Sequence, residues 1–187
     1  MFHSQHIREK DGLWAVLAWL SVLANYNNDV SKPLVSVQEI VEKHWATFGR
    51  HFYSRYDYEA VAAEKADQVM ETLAAHFPRL LEEAGLQFGS LQCKDLESFT
   101  YEDPLDGSFS ENQGIILTFD TGERAIFRLS GTGSEGATIR VYLEKYEADA
   151  SKHSQSTAAA LREVAAAALE ASGLCSTIGR ENPTVIT

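Results

Sequence analysis

The chain has 187 residues, 44% of them hydrophobic, and a formal net charge of −11 at pH 7. This length allows one ordinary domain, or one domain with part of another, and the apolar content excludes a wholly disordered chain. Nucleic acid and anionic membrane surfaces do not attract so acidic a protein, so we expect neither as a partner, and an anionic small molecule would need a local basic site.

Two helices are predicted in the first fifty residues. Asp11-Gly12 is the expected N-cap of a helix from Leu13 to Asn25, which is apolar nearly all round and needs neighbours on several sides. Ser36 begins a second helix through Trp45 with the Ser-x-x-Glu pattern of a capping box, and Gly49 is its expected stop. We place a domain boundary near Gly49 and expect the sequence to begin inside a domain whose earlier part is missing.

The remaining sequence predicts mainly an antiparallel sheet. A period of two from His51 to Glu59 indicates a strand, and Ala62 to Phe77 has helical character that Pro78 interrupts. Four further strands and an alanine-rich helix are expected at Leu91 to Tyr101, Gly114 to Phe119, Arg124 to Leu129, Ala137 to Tyr146 and Gln155 to Ser172. The tail from Ser176 to Thr187 is predicted to be irregular.

No feature of the sequence indicates export, membrane insertion or metal binding. Residues Met1 to Gln5 lack the pattern of a secretory signal, and the apolar run from Leu13 to Ala24 is too short to cross a bilayer, so we expect a buried helix there. Cys93 and Cys175 stand alone, as expected of reduced thiols, and the six histidines show no ligand spacing. We predict a cytoplasmic location and no metal ligands.

Arg128 to Arg140 is the most distinctive stretch, because it places glycines and hydroxyl residues between two arginines with β-type sequence on either side. Small residues let a backbone approach an anion and point several N–H groups at it. An arginine at each end could add bidentate bonds to phosphate. The alternative is a glycine-rich hairpin loop with two incidental surface arginines, which spacing alone favours.

Two familiar glycine motifs do not fit this stretch. The glycines match G-x-G-x-x-G, but a dinucleotide site needs a helix after the loop, whereas Ala137 to Leu143 predicts a strand. A kinase glycine loop is excluded because no VAIK-like lysine, HRD or DFG follows. What remains is a phosphate-sized nest between antiparallel strands, with Arg128 and Arg140 at its rim and Ser130 and Thr132 as hydroxyl donors or turn caps.

Lys10 is the other candidate residue. It immediately precedes the first predicted helix, where partial desolvation would lower its pKa towards general acid/base use. The alternative, favoured on sequence alone, is a solvated lysine, because lysine is the commonest exposed cation.

Four separated segments carry a resemblance to a known family: His6 to Ala15, Arg55 to Glu59, Arg128 to Arg140 and Pro183 to Thr187. The chain from His6 to Thr187 resembles the C-terminal third of eukaryotic-type α-phosphoglucomutase, in the α-D-phosphohexomutase superfamily. The members of this family are isomerases of glucose metabolism that act as intramolecular phosphotransferases. It interconverts glucose 1-phosphate and glucose 6-phosphate through a magnesium-assisted phosphoserine and a glucose 1,6-bisphosphate intermediate.

The resemblance implies an α+β fold and a set of site residues. Residues 50–187 would be the family's fourth domain, a TATA-binding-protein-like antiparallel sheet with helices on one face that closes over the active-site cleft. Residues 1–49 would be the helical end of the third, incomplete α/β domain. Lys10 would be the candidate general acid/base beside the phosphoserine. Five residues would hold the phosphate distal to the reacting one: Arg128, Ser130, Gly131, Thr132 and Arg140.

Three family segments are missing from the sequence: the serine-nucleophile loop Thr-Ala-Ser-His-Asn-Pro, the magnesium loop Asp-Gly-Asp-Gly-Asp-Arg, and the sugar-reading Glu-Glu-Ser-Phe-Gly, in whose place Phe2 to Gln5 stand. Without a phosphoryl donor and its metal, we expect no catalysis from this chain alone. We therefore expect a fragment that binds a sugar phosphate and works with the missing N-terminal domains or another chain. A non-catalytic phosphate-binding or regulatory module and an inactive structural remnant are the alternatives.

Overall fold

The computed structural model describes residues 11–83, 85–133 and 136–187. The chain divides into two compact units, one ending at Gly49 and the other beginning at Arg50. No helix among the described residues is long and apolar enough to cross a membrane.

The first unit contains two helices, α1 (Gly12–Tyr26) and α2 (Val37–Phe48). The capping box at Ser36 is confirmed, and Gly49 ends α2 with a φ of 82°. The burial predicted for α1 is wrong, because none of its residues is buried and Leu13 is 80% exposed. The helix is apolar around its circumference, and a single neighbouring helix can cover only one side of it.

Among the described residues, the second unit forms a seven-stranded antiparallel sheet in the order β2-β3-β4-β5-β6-β1-β7. Its strands are β1 (Arg50–Val61), β2 (Leu86–Phe88), β3 (Leu91–Glu102), β4 (Phe109–Phe119), β5 (Arg124–Gly133), β6 (Gly136–Glu147) and β7 (Val185–Ile186). The central pairing of β5 with β6 and of β6 with β1 places the glycine-rich stretch beside the strand that begins the unit.

The helices of this unit pack on one face of the sheet. They are α3 (Ala63–Ala74), α4 (His76–Glu82), α5 (Thr157–Ser172) and α6 (Leu174–Ile178), and an exposed 3-10 helix (Ala150–Lys152) precedes α5. The alternation of strand residues sends one set of apolar side chains towards these helices, where they form the core with Val69, Leu73, Leu161 and Val164. The predicted α+β fold, with an antiparallel sheet and helices on one face, is confirmed.

Two local predictions for this unit are corrected, and one strand was not predicted. The helical segment is broken at Ala75 and not at Pro78, which lies in the first turn of α4, where its missing N–H has little cost. The short strand β2 was not predicted. The tail is not wholly irregular, because it contains the end of α6 and the strand β7, which pairs with β1.

Candidate functional site

The glycine-rich stretch forms a hairpin whose strands extend further than predicted. The expected loop from Ser130 to Gly136 is instead a paired ladder that reaches Gly133 opposite Gly136. The ladder contains one irregularity, between Ser130 and Thr132, where Gly131 has a φ of 69°. A glycine absorbs an extra residue in a bulge because it tolerates positive φ, so pairing continues beyond it.

The two arginines of this hairpin lie directly opposite each other. Arg128 pairs with Arg140 across β5 and β6, and Asp57 of β1 pairs with Arg140 on its other side. Ile139 and Val141, the neighbours of Arg140 along β6, are buried under the helices, so by alternation Arg140 belongs to the uncovered face. Its pairing partners Asp57 and Arg128 belong to the same face. We call Asp57, Arg140 and Arg128 the charged row.

Arg128 leans away from Arg140, towards β4. Its Nε donates to the Gln113 carbonyl oxygen at 3.0 Å. Room for this side chain depends on Gly114, because a Cβ there would lie 2.9 Å from Arg128 Cγ and 2.7 Å from the Phe127 carbonyl oxygen. The missing side chain of Gly114 thus sets where the Arg128 side chain can lie.

Arg140 lies towards β1. Its Nε is 3.9 Å from Asp57 Oδ2, which is an ion pair but too long for a hydrogen bond. This Nε is buried and has no hydrogen-bond partner among the described residues, although the Arg140 side chain as a whole is 37% exposed. The exposed, positively charged end of the side chain therefore consists of the terminal guanidinium nitrogens.

Asp57 is the buried anion of this site. It is 4% exposed, and Arg55 binds it in a bidentate manner, with Nε at 2.8 Å from Oδ1 and a terminal nitrogen at 2.9 Å from Oδ2. Both residues lie in the strand predicted from His51 to Glu59, and neither was predicted as a site residue. An arginine and an aspartate two residues apart on that strand were the available signal, since such residues share a face.

The start of β6 is packed closely against the end of β1. Gly136 has a φ of 94°, and a Cβ at this position would lie 2.8 Å from the Val61 carbonyl oxygen. On β1, Ala60 has a φ of 53°, within an irregularity of the register between Tyr58 and Val61. A glycine without a side chain is required at this approach, and it fixes the hairpin beside the charged row.

The surroundings of Arg128 on the uncovered face are largely apolar. A cavity of about 370 Å³ beside it is lined by Ile116, Ile126, Tyr142 and Phe99 as well as Gly114 and Gln113. Apolar walls lower the local dielectric, which strengthens the attraction between a guanidinium group and an anion.

Only part of the predicted phosphate set can be located. Arg128 and Arg140 form one rung of the hairpin, and Ser130 lies two residues beyond Arg128 on the same strand, with Gly131 in the bulge beside it. The Thr132 backbone pairs with Ala137, but the Thr132 side chain and Lys10 lie outside the described residues. Thr138, directly opposite Ser130, is a further hydroxyl that the sequence analysis did not single out.

Potential metal ligands do not converge in the described part of the chain. No group of three or more histidine, cysteine, aspartate or glutamate side chains there could hold a metal ion. These residues therefore do not form a magnesium site, and we assign no step through a metal to them.

Comparison with known proteins identifies the family. Residues 50–184 match the model "Phosphoglucomutase-1, C-terminal domain". The chain is 50% identical over 191 residues to "Probable phosphoglucomutase, cytoplasmic 1" of Arabidopsis thaliana, covering 98% of this chain and 33% of that protein. It is 50% identical over 186 residues to "Phosphoglucomutase, chloroplastic" of Solanum tuberosum, covering 98% and 29%.

A solved structure gives the same result for the fold. The open form of pp63/parafusin, a phosphoglucomutase from Paramecium, is similar with a TM-score of 0.82 and 46% identity, covering 98% of this chain and 30% of that one. The chain thus spans about a third of the length of the relatives it matches. The resemblance found in the sequence is confirmed: this chain belongs to the phosphoglucomutase family and corresponds to the C-terminal portion of its members.

Proposed function

We propose that this chain is the phosphate-recognition part of a phosphoglucomutase that interconverts glucose 1-phosphate and glucose 6-phosphate. Residues 50–187 hold the substrate's non-reacting phosphate and close over the active-site cleft, and residues 1–49 are the end of the third α/β domain. Family membership and the arrangement of the charged row support this assignment.

The direct opposition of Arg128 and Arg140 carries the proposal. Like charges at opposed positions of an antiparallel pair destabilise a sheet. Asp57 offsets this repulsion only in part, because Arg55 already occupies both of its oxygens. A phosphate between the two arginines neutralises them and accepts charge-assisted hydrogen bonds from both.

The remaining predicted residues complete the phosphate contacts. The Ser130 and Thr132 hydroxyls donate to phosphate oxygens, and the backbone at the Gly131 bulge comes close to the anion because glycine has no side chain. Lys10 acts as the general acid/base at the reacting phosphate. The two arginines of the charged row form a local basic site in a chain whose net charge is −11.

Binding the far phosphate contributes to catalysis at the near one. Binding energy from a part of the substrate that does not react orients the sugar and closes the cleft. A site that recognises phosphate rather than sugar accepts either end of the glucose 1,6-bisphosphate intermediate. Magnesium and glucose 1,6-bisphosphate are the cofactors proposed for the whole enzyme, with the phosphoserine and magnesium loops supplied by N-terminal domains or another chain.

The phosphate site is tested by NMR titration of the 187-residue chain with inorganic phosphate, glucose 1-phosphate and glucose 6-phosphate. We expect saturable shifts centred on residues 130–136. Arg128→Ala and Arg140→Ala should each weaken binding about tenfold or more, because a hydrogen bond to a charged group contributes about 1.5–3 kcal/mol. The matched control is Arg124→Ala, which removes an arginine of the same strand that is paired with Glu144.

Each outcome of this titration bears on the proposal. An unchanged affinity in the Arg124 variant, within about twofold, shows that the position of the charge matters and not only its sign. Equal losses in all three variants would indicate non-specific attraction. Absence of shifts at millimolar ligand contradicts a phosphate site and leaves a structural remnant.

The enzymatic part of the proposal is tested by complementation. The N-terminal domains of a related phosphoglucomutase are supplied as a separate chain, and mutase activity is expected with the wild-type chain but reduced at least tenfold with Arg128→Ala. Phosphate binding without recovered activity would instead favour a non-catalytic phosphate-binding or regulatory module. A cytoplasmic location is also proposed, because several relatives are named cytoplasmic, and cell fractionation tests it.

A further inference from the structure

The C-terminal strand is bonded to the part of β1 that carries Asp57. Val185 pairs with Asp57, and the Thr184 N–H donates to the Asp57 carbonyl oxygen at 2.7 Å. Thr187 exchanges two hydrogen bonds with Arg55, donating at 3.0 Å and accepting at 2.8 Å. Both residues of the Arg55–Asp57 ion pair therefore have their backbones fixed by the last four residues of the chain.

The Asp57 carboxylate is held rigidly at the end of the charged row. It is 4% exposed, and both of its oxygens accept hydrogen bonds from Arg55. A buried carboxylate is tolerated only with such partners, so this pair is fixed relative to the sheet. Its Oδ2 lies on the side of Arg140.

Arg140 turns its Nε towards this carboxylate. The 3.9 Å between Nε and Oδ2 exceeds an ordinary hydrogen bond of about 2.9 Å by about 1 Å. The Nε is buried without a partner among the described residues, which is unfavourable for a charged donor. A shift of the guanidinium group by about 1 Å forms this bond and leaves the terminal nitrogens for an anion.

We propose that Asp57 is a positioning residue for Arg140 and that β7 keeps Asp57 in place. The C-terminal strand therefore contributes to phosphate affinity without contacting the phosphate. This inference rests on the proposed phosphate-binding function. Asp57 does not touch the phosphate. It holds one side of the Arg140 guanidinium group so that the other side faces the ligand.

Asp57→Asn separates the positioning role of Asp57 from the effect of its charge, because the two predict opposite changes in phosphate affinity. The substitution removes a negative charge beside a basic site, so electrostatics alone predicts tighter phosphate binding. Loss of positioning predicts binding weaker by about three- to tenfold. Glu144→Gln is the matched control, since it removes a carboxylate paired with Arg124 on the same hairpin, and its affinity should be unchanged or slightly higher.

A truncation provides the second variant. Deleting residues 185–187 removes β7 but keeps Asp57 and every arginine of the site, and we expect phosphate binding to weaken by at least threefold. Ser54→Ala is its control, because it removes only the hydroxyl bond to the Thr187 carbonyl oxygen, and it should bind within about twofold of the wild type. Far-UV circular dichroism at the titration temperature confirms that each variant is folded.

A spectroscopic readout tests the contact itself. The Nε–Hε signal of Arg140 should shift on addition of inorganic phosphate in the wild type, and this shift should be reduced in Asp57→Asn and in the truncated chain. If Arg140→Ala loses binding while Asp57→Asn and the truncation bind as tightly as the wild type or more tightly, this inference is overturned and the proposed function stands. If Arg140→Ala binds normally, the proposed function itself fails.

Discussion

Gly136 is a position of the hairpin where one added methyl group would meet the backbone of a neighbouring strand. We expect Gly136→Ala to destabilise the second unit more than Gly122→Ala. Gly122, between β4 and β5, is a matched control because both glycines have a φ of 94°, while nothing lies within 4 Å of a Cβ built at Gly122.

The expected difference follows from the distances. Holding an L-residue at positive φ costs about 1–2 kcal/mol at either position. At Gly136 the new Cβ also lies 2.8 Å from the Val61 carbonyl oxygen, whereas ordinary contact begins at 3.4 Å, so β1 and β6 must separate by roughly 0.6 Å. Overpacking of this kind costs about 1–3 kcal/mol. We therefore expect about 1–2 kcal/mol for Gly122→Ala and about 2–5 kcal/mol for Gly136→Ala.

Urea unfolding followed by far-UV circular dichroism measures this difference, because all three tryptophans lie in the first unit and do not report on the sheet. With a slope of about 2 kcal/mol per molar urea, the midpoint should fall by about 1–2.5 M for Gly136→Ala and by less than about 1 M for Gly122→Ala. Phosphate affinity should fall only in the Gly136 variant. Equal midpoint shifts for the two variants would refute the close approach between β6 and β1.

Three further predictions concern other positions. Gly114→Ala should weaken phosphate binding at least threefold in the same NMR titration, because its Cβ would displace Arg128, and an affinity equal to the wild type would contradict this reading of the contact. Burial raises the pKa of Tyr58 to about 12, so the neutral phenol's contribution to stability is present below pH 10 and is lost as the pH rises towards 12. In that window the unfolding free energy of the wild type, measured with urea, should fall by up to about 1.4 kcal/mol per pH unit relative to that of Tyr58→Phe. If the two proteins show the same dependence of stability on pH, the prediction is contradicted. Ser36→Ala breaks the capping box with Glu39 and should cost about 1 kcal/mol by tryptophan fluorescence, whereas an unchanged midpoint would mean that the cap does not stabilise the first unit.

Local sequence signals predicted most of the fold because they depend on neighbouring residues. The alternation in β1 and β6 and the capping box at Ser36 are properties of a few adjacent side chains, and these elements formed as expected. Strand β7 could not be predicted in this way. Val185 and Ile186 are too few to form a pattern, and they are extended because an edge of β1 is available for pairing.

The site was predicted less completely for a related reason. Arg128 and Arg140 are candidates in the sequence because they lie at the two ends of one glycine-rich stretch, but their direct opposition depends on a register that the Gly131 bulge shifts by one residue. Asp57 and Arg55 precede Arg140 by more than eighty residues in the sequence, and only the pairing of β1 with β6 brings them to it. Long-range strand pairing is not encoded in local patterns.

The β5–β6 ladder supports the proposal that the opposed arginines serve a ligand rather than the fold. Four residues from Arg128 on the same strand, Arg124 lies directly opposite Glu144 and forms an ion pair with it, which is the arrangement that stabilises a sheet. A glutamate opposite Arg128 would give the same benefit, yet Arg140 occupies that position. Both rungs have the same strands, the same uncovered face and similar exposure, so folding stability does not explain the difference. The proposed phosphate accounts for it, because an anion placed between the two guanidinium groups would relieve their repulsion and accept hydrogen bonds from both.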